Sequence, residues 1–205
     1  MRRIIAQHAE EGLRLRKVFF AAQAKNLEDC ARRIASAMNN GRKLLICGNG
    51  GSAADAQHLA GEFVNRFLID RPPLPALALT TDTSVLTAVS NDFGFEHVFA
   101  KQIHALGLPG DVLLALSTSG ASPNVLSALR AAREKNMLTI GLSGAGHGMD
   151  VVCDIVLHVP HPSTPLVQEI HISAGHLICA LVEHVLFKNE MGIPAGPRGN
   201  AASDA

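Results

Sequence analysis

Apolar residues follow two rhythms along this chain. Between residues 3 and 38 they recur at helical spacing, through Ile4, Ile5, Leu13, Leu15, Val18, Phe19 and Phe20 and on to Leu27, Ala31, Ile34 and Ala35. The pattern predicts two helices, closed by the turn chemistry of Asn39-Asn40-Gly41. From residue 43 onward, short unbroken apolar runs alternate with helical stretches. The runs at 43–47, 74–79, 111–116, 137–142 and 154–159 read as five strands. Helices are predicted over 52–68, 84–90, 95–106, 122–135 and 163–187. Predominantly apolar strands without a polar face, alternating with helices, are covered on both faces, so the chain reads as an α/β domain, a mostly parallel sheet flanked by helices. The predicted organisation is an N-terminal helical arm over 1–40, the α/β domain over 41–187 and a disordered tail over 188–205, which is Gly- and Pro-bearing and without period.

Ligands of such sheets sit beyond the carboxyl ends of the strands, and two motifs fall there. Gly48-Asn49-Gly50-Gly51-Ser52 follows the first strand. Its glycines permit close backbone approach, and the helix start behind them favours anions or sugar oxygens. It has neither the Lys of a P-loop nor the spacing of a dinucleotide fingerprint, and a plain tight turn explains it equally well. Ser117-Thr118-Ser119-Gly120-Ala121-Ser122 follows the third strand and crowds four hydroxyls onto a helix start, with Pro123 suited to the first turn. A helix cap needs one hydroxyl, so four favour a neutral phosphate cradle.

Composition agrees with a neutral cradle. Eighteen basic residues balance eighteen acidic ones, and the aromatics are eight Phe without Trp or Tyr. Neither a nucleic-acid surface nor a base-stacking platform is expected. The N-terminal segment carries charges throughout and reads as neither signal peptide nor membrane span, so no membrane partner and a cytoplasmic location are expected. The cysteines (Cys30, Cys47, Cys153, Cys179) form no C-x-x-C pair and read as reduced thiols.

Two helical patterns remain. His58 and Glu62, at i and i+4, share a face of the helix after the first strand. They suit a surface pair, half of a metal site, or a carboxylate held by an imidazole. The last helix carries Gln168, Glu169, His171 and His176. Glu169 and His171 read as solvated and His176 as a core histidine, unless His176 and Gln168 join His58 and Glu62 around a zinc-like ion. Gln168 and His176, if both helical, are about 12 Å apart along the axis. Either Gln168 lies at a frayed helix start or His176 comes from a neighbouring subunit, which makes a site shared between chains an expectation. His8, His97, His104, His147, His158, His161 and His184 have no partner at a telling spacing and read as surface or loop residues. Asn91-Asp92-Phe93-Gly94 reads as a polar turn between helices.

The segments CGNGGSAADAQHLAGEFVNRF, LTAVSNDFG, GDVLLALSTSGASPNV and QEIHISAGH together resemble the sedoheptulose 7-phosphate isomerase (phosphoheptose isomerase) family of SIS domains, over about residues 40–187. The resemblance implies a five-stranded parallel sheet flanked by helices, a homotetramer, and conversion of D-sedoheptulose 7-phosphate to D-glycero-D-manno-heptose 7-phosphate on the way to nucleotide-activated heptose. It implies one zinc per subunit on His58, Glu62, Gln168 and His176. Substrate contacts would be Asn49, Gly50, Gly51, Glu62, Asn91, Asp92, Ser117, Thr118, Ser119, Ser122 and Gln168, with Glu62 as base and His176 as acid. Pro165 stands where some members have an acidic residue. A second class of SIS protein, non-catalytic and associated with the replication initiator DnaA, departs from the pattern at the positions of Glu62 and His176. This chain has both residues, which favours the enzyme.

Overall fold

The central strands are mostly apolar, in keeping with cover on both faces. In the computed structural model, which describes residues 1–187, the strands form one fully parallel sheet from β1 (Leu44–Gly48), β2 (Ala76–Ala78), β3 (Val112–Ser117), β4 (Leu138–Ser143) and β5 (Ile155–His158). The strand order is β2-β1-β3-β4-β5. Every residue of β1 and β3 is buried. β2 is shorter than its apolar run because Pro72, Pro73 and Pro75 have no N–H for the ladder. Pro75 still accepts from Leu44 N at 2.9 Å, which starts the pairing.

Six helices enclose the sheet among the described residues: α1 (Arg2–Asn39), α2 (Gly51–Val64), α3 (Thr83–Phe93), α4 (Val98–Leu106), α5 (Pro123–Glu134) and α6 (Thr164–Leu186). α1, α2 and α6 cover one face, with Phe19, Ile34, Leu59, Phe63, Ala174 and Ile178 in the core. α4 and α5 cover the other, with Phe99, Ile103, Val125 and Leu129. α6 is the one helix long and apolar enough to cross a membrane among the described residues; it carries Glu169 and Glu183, and half of its most apolar window is buried in this fold.

Three expectations change. The predicted pair of N-terminal helices is a single helix, because nothing after Gly12 breaks the run and a Cβ at Gly12 would meet only ordinary contacts with α6, at 3.8 Å from Glu169 and Leu166. Leu15, Phe19, Leu27, Ala31, Ile34 and Ala35 of its apolar stripe pack into the core, whereas Ile4, Ile5, Leu13 and Val18 stay exposed. Asn91, Asp92 and Phe93 form the last turn of α3 rather than a loop. Asp82 caps that helix by accepting from Val85 N at 3.0 Å, and Gly94 ends it at φ +97°. α2 stops at Val64, not 68, because Phe67 N and Leu68 N donate to the Glu183 carboxylate, both at 2.9 Å, instead of continuing the helix. The tail predicted at 188–205 lies outside the described residues.

Candidate active site

β1 connects to β2 on one side of the sheet, while β3 connects to β4 and β5 on the other. The carboxyl ends of β1 and β3 therefore border the switch point where α/β sheets open a crevice. The two glycine- and hydroxyl-rich turns leave the sheet at this place. Two amides join them: Asn49 Nδ2 donates to Asn124 Oδ1 and Asn124 Nδ2 to Asn49 Oδ1, both at 2.8 Å. Asn124 is buried, and its carbonyl oxygen also accepts from Val125 N at 3.0 Å. The pair holds the first-strand turn against the start of α5.

On the β3 side, the Ser117 hydroxyl lies 3.0 Å from that of Ser122 and 3.3 Å from that of Ser119, and Ala121 N donates to Ser119 Oγ at 3.2 Å. Ser122 is the N-cap of α5 but makes no capping hydrogen bond through its side chain. Its hydroxyl stays with the Ser117 and Ser119 hydroxyls at the positive end of α5, where an anion is favoured. Gly120 turns the chain at φ +66°. The glycines after β4 then lie directly on this turn. A Cβ at Gly144 or Gly146 would stand 2.1 Å from the carbonyl oxygen of Thr118 or Ser119, and one at Gly148 2.4 Å from that of Gly120. On the β1 side, Gly50 enters α2 at φ +56°, and a Cβ at Gly51 would stand 2.5 Å from the amide nitrogen of Gln168. Gln168 is thereby packed on the first residue of α2.

A second group gathers further along α2. His58 Nε2 lies 3.3 Å from Glu62 Oε1 and 2.7 Å from His176 Nε2. The Phe67 ring stacks on His176 with centroids 5.4 Å apart. Burial holds the His176 imidazole below its ordinary pKa, the neighbouring His58 adds to that, and Glu62 opposes it. One ring must donate and the other accept across 2.7 Å, which two neutral imidazoles can do. The three residues offer one ligand atom each within 4.8 Å of one another. Bonds of about 2.05 Å at a tetrahedral angle separate two ligands by about 3.3 Å. The His58–Glu62 spacing meets that value, and the two histidines need to open by roughly 0.6 Å. The donor set fits a zinc-type ion.

His176 reaches this group within one chain, so the long helical spacing to Gln168 does not require it to come from a neighbour. Gln168, in contrast, sits in the body of α6 against Gly51, seven residues before His58 and so about 10 Å away along α2. Within one chain the structure unites His58, Glu62 and His176 and leaves Gln168 beside the turn at Gly50 and Gly51. Asn91 and Asp92 are exposed at the end of α3 and bond to each other at 2.9 Å.

The comparisons with known proteins agree with this geometry. A family model described as SIS domain matches residues 7–144. A phosphoheptose isomerase of Nitratidesulfovibrio vulgaris (strain Miyazaki F) is 56% identical over 98% of this chain and 97% of its own. That of Desulfovibrio desulfuricans is 61% identical over 91% of this chain and 89% of its own. The chain belongs to the phosphoheptose isomerase family of SIS domains. The solved phosphoheptose isomerase of Neisseria gonorrhoeae superposes with a TM-score of 0.83 at 42% identity, covering 89% of this chain and 98% of that one. The solved one from Francisella tularensis gives 0.84 at 38% identity, covering 88% and 96%.

Several residues of this phosphoheptose isomerase fold were not legible as part of the site. Arg71 and Glu183 form a buried ion pair at 2.9 Å, and Arg71 also donates to the backbone carbonyls of Glu62 and Phe63 at 2.9 and 2.8 Å. They tie the end of α2, and with it Glu62, to α6. Asn124 had no signal beyond lying two residues after Ser122. Asp55, one turn before His58, has a buried oxygen without a hydrogen-bond partner, and burial raises its carboxyl while His58 lowers it. His171 is not solvated but fully buried, because α6 turns that face onto the sheet. Four of the histidines read as unpartnered have close carboxylate partners, His147 at i,i+3 and the other three through the tertiary fold. His8 meets Glu169 at 3.1 Å and His161 meets Glu11 at 2.9 Å. His147 and His158 both meet Asp150, at 2.8 and 2.7 Å.

Proposed function

We propose that this chain isomerises D-sedoheptulose 7-phosphate to D-glycero-D-manno-heptose 7-phosphate, an aldose–ketose exchange that supplies nucleotide-activated heptose. The observation that carries it is the carboxylate of Glu62 held beside the His58–His176 imidazole pair. The exchange needs a base to take a proton at one of two adjacent carbons and an acid to serve the neighbouring oxygen. Glu62 Oε1 faces His58, which leaves Oε2 to accept the carbon-bound proton. His176, kept neutral by its surroundings, passes a proton to and from the carbonyl oxygen as the enediol forms and collapses. The hydroxyls of Ser117, Thr118, Ser119 and Ser122 and the N–H groups of α5 bind the phosphate, and Asn49, Gly50, Gly51 and Gln168 line the path between, with Asn91 and Asp92 reaching the sugar. Binding at the remote phosphate orients the reacting carbons.

His58, Glu62 and His176 would hold one zinc per subunit, with Gln168 as fourth ligand after rearrangement or from another subunit. Bound there, zinc supplies a Lewis acid for the substrate oxygen. The exposed Ile4, Ile5 and Leu13 on α1 support self-association, and the reading is completed by a cytoplasmic homotetramer with sites shared between subunits. The α1 arm, the α/β domain and the tail would act as its three parts. The test is an NMR assay of the purified protein with sedoheptulose 7-phosphate, with added zinc and with chelator. Heptose 7-phosphate should appear, and Glu62→Gln should lose most turnover while remaining assembled. No product under either condition from folded protein would refute the reading. Near-normal turnover in Glu62→Gln would refute the base assignment.

A further inference from the structure

The loop between β4 and β5 carries a second convergence of ligand atoms, separate from the first in sequence and on a different edge of the sheet. His147 Nδ1 lies 2.8 Å from Asp150 Oδ2, and His158 Nε2 lies 2.7 Å from Asp150 Oδ1. The two imidazole rings are 4.8 Å apart. One ligand atom from each of the three residues falls within 4.8 Å of the others. The loop that presents them is anchored: Met149 and Val152 are buried, and Asp150 N, Val152 N and Cys153 N close a helical turn onto His147 and Met149.

His158 decides how the cluster is to be read. Its Nδ1 lies 3.3 Å from the carbonyl oxygen of Gly144, which can only accept. The ring is therefore held between a backbone carbonyl on its Nδ1 side and a carboxylate oxygen 2.7 Å from Nε2. An imidazole that gives its far N–H to a backbone carbonyl, so that its other nitrogen is presented beside a carboxylate, is the arrangement that orients metal-bound histidines. Two imidazoles and a carboxylate are the donor set of zinc-type ions, with room for water in the remaining positions.

We propose that His147, Asp150 and His158 bind a divalent transition-metal ion of the zinc type, a structural site distinct from the His58–Glu62–His176 group. The ion ties the loop to the end of β5. The same loop carries Gly144, Gly146 and Gly148, which lie against the carbonyls of Thr118, Ser119 and Gly120. A metal at this place braces the back of the hydroxyl cradle, which gives the site its use in the fold. The assignment does not depend on which sugar phosphate the cradle takes.

Cobalt(II) serves as the probe, because its visible absorption reports imidazole and carboxylate ligation directly. The full chain carrying His58→Ala and His176→Ala, which removes the first group's imidazoles, should still bind one Co2+ per chain in equilibrium dialysis, with d–d absorption and a rise in Tm. Adding His158→Ala should reduce the affinity at least 100-fold and abolish the absorption. Asp150→Asn, which preserves shape, should abolish the metal-dependent rise in Tm even if His158→Ala proves unstable. The proposal is overturned if the His58→Ala/His176→Ala chain binds no Co2+. It is equally overturned if binding persists unchanged in the Asp150→Asn or His158→Ala background.

Discussion

Gly146→Ala isolates the contact between the β4–β5 loop and the cradle. The substitution adds one methyl group at a position whose backbone conformation any residue can adopt, so only the contact changes. The new Cβ would stand 2.1 Å from the Ser119 carbonyl oxygen. A relaxed carbon–oxygen contact is about 3.3 Å, so the loop and the Ser117–Ser122 turn must part by roughly 1.2 Å. A displacement of about 1 Å at a positioning element costs on the order of 100-fold in rate, or about 2.7 kcal/mol of transition-state stabilisation. Steady-state kinetics with sedoheptulose 7-phosphate should show kcat/KM lower by about that factor, with a raised KM because the phosphate anchor is what moves. The overpacking should lower stability by about 1–3 kcal/mol, leaving the chain folded. Gly61→Ala is the control, since a Cβ there meets nothing within 4 Å. A Gly146→Ala protein within threefold of wild-type kcat/KM would refute the reasoning, because the cradle would then not depend on the loop behind it.

Other expectations rest on buried groups. Burial holds His171 at a pKa of about 4 against an ordinary 6.5, the Ser143 backbone opposing this only partly and not in hydrogen-bonding geometry. Folding then refuses a proton that the unfolded chain accepts, so stability is complete above pH 6.5 and falls by about 3 kcal/mol as the pH drops towards 4. Urea denaturation across that range should show this loss in the wild type and a smaller one in His171→Leu; parallel curves would exclude it. Glu183→Gln should cost about 3–5 kcal/mol, because it leaves Arg71 buried without its counter-charge and weakens the acceptor of Phe67 N and Leu68 N. Thermal and urea unfolding check it, and Arg71→Met added to Glu183→Leu should recover part of the loss.

The chain's own pattern determined the class of fold and pointed to an anion at its hydroxyl-rich turn. Mostly apolar strands without a polar face have to be covered on both faces, and a serine-rich turn before a proline at a helix start has few uses besides holding an anion. Those properties are local, which is why all five strands, the flanking helices and the hydroxyls of Ser117 to Ser122 were legible. What depended on distance in three dimensions was not. The strand order, and with it the switch point that places both turns at one crevice, follows from which strand each helix packs against. Asn124 could be joined to Asn49, Arg71 to Glu183 and His158 to Asp150 only by the fold, because each pair is brought together by backbone packing and not by helical or strand period. The same holds for Gln168 and His176: their spacing along α6 was readable, but only the packing of α6 on α2 decided that His176 meets His58 while Gln168 meets Gly51.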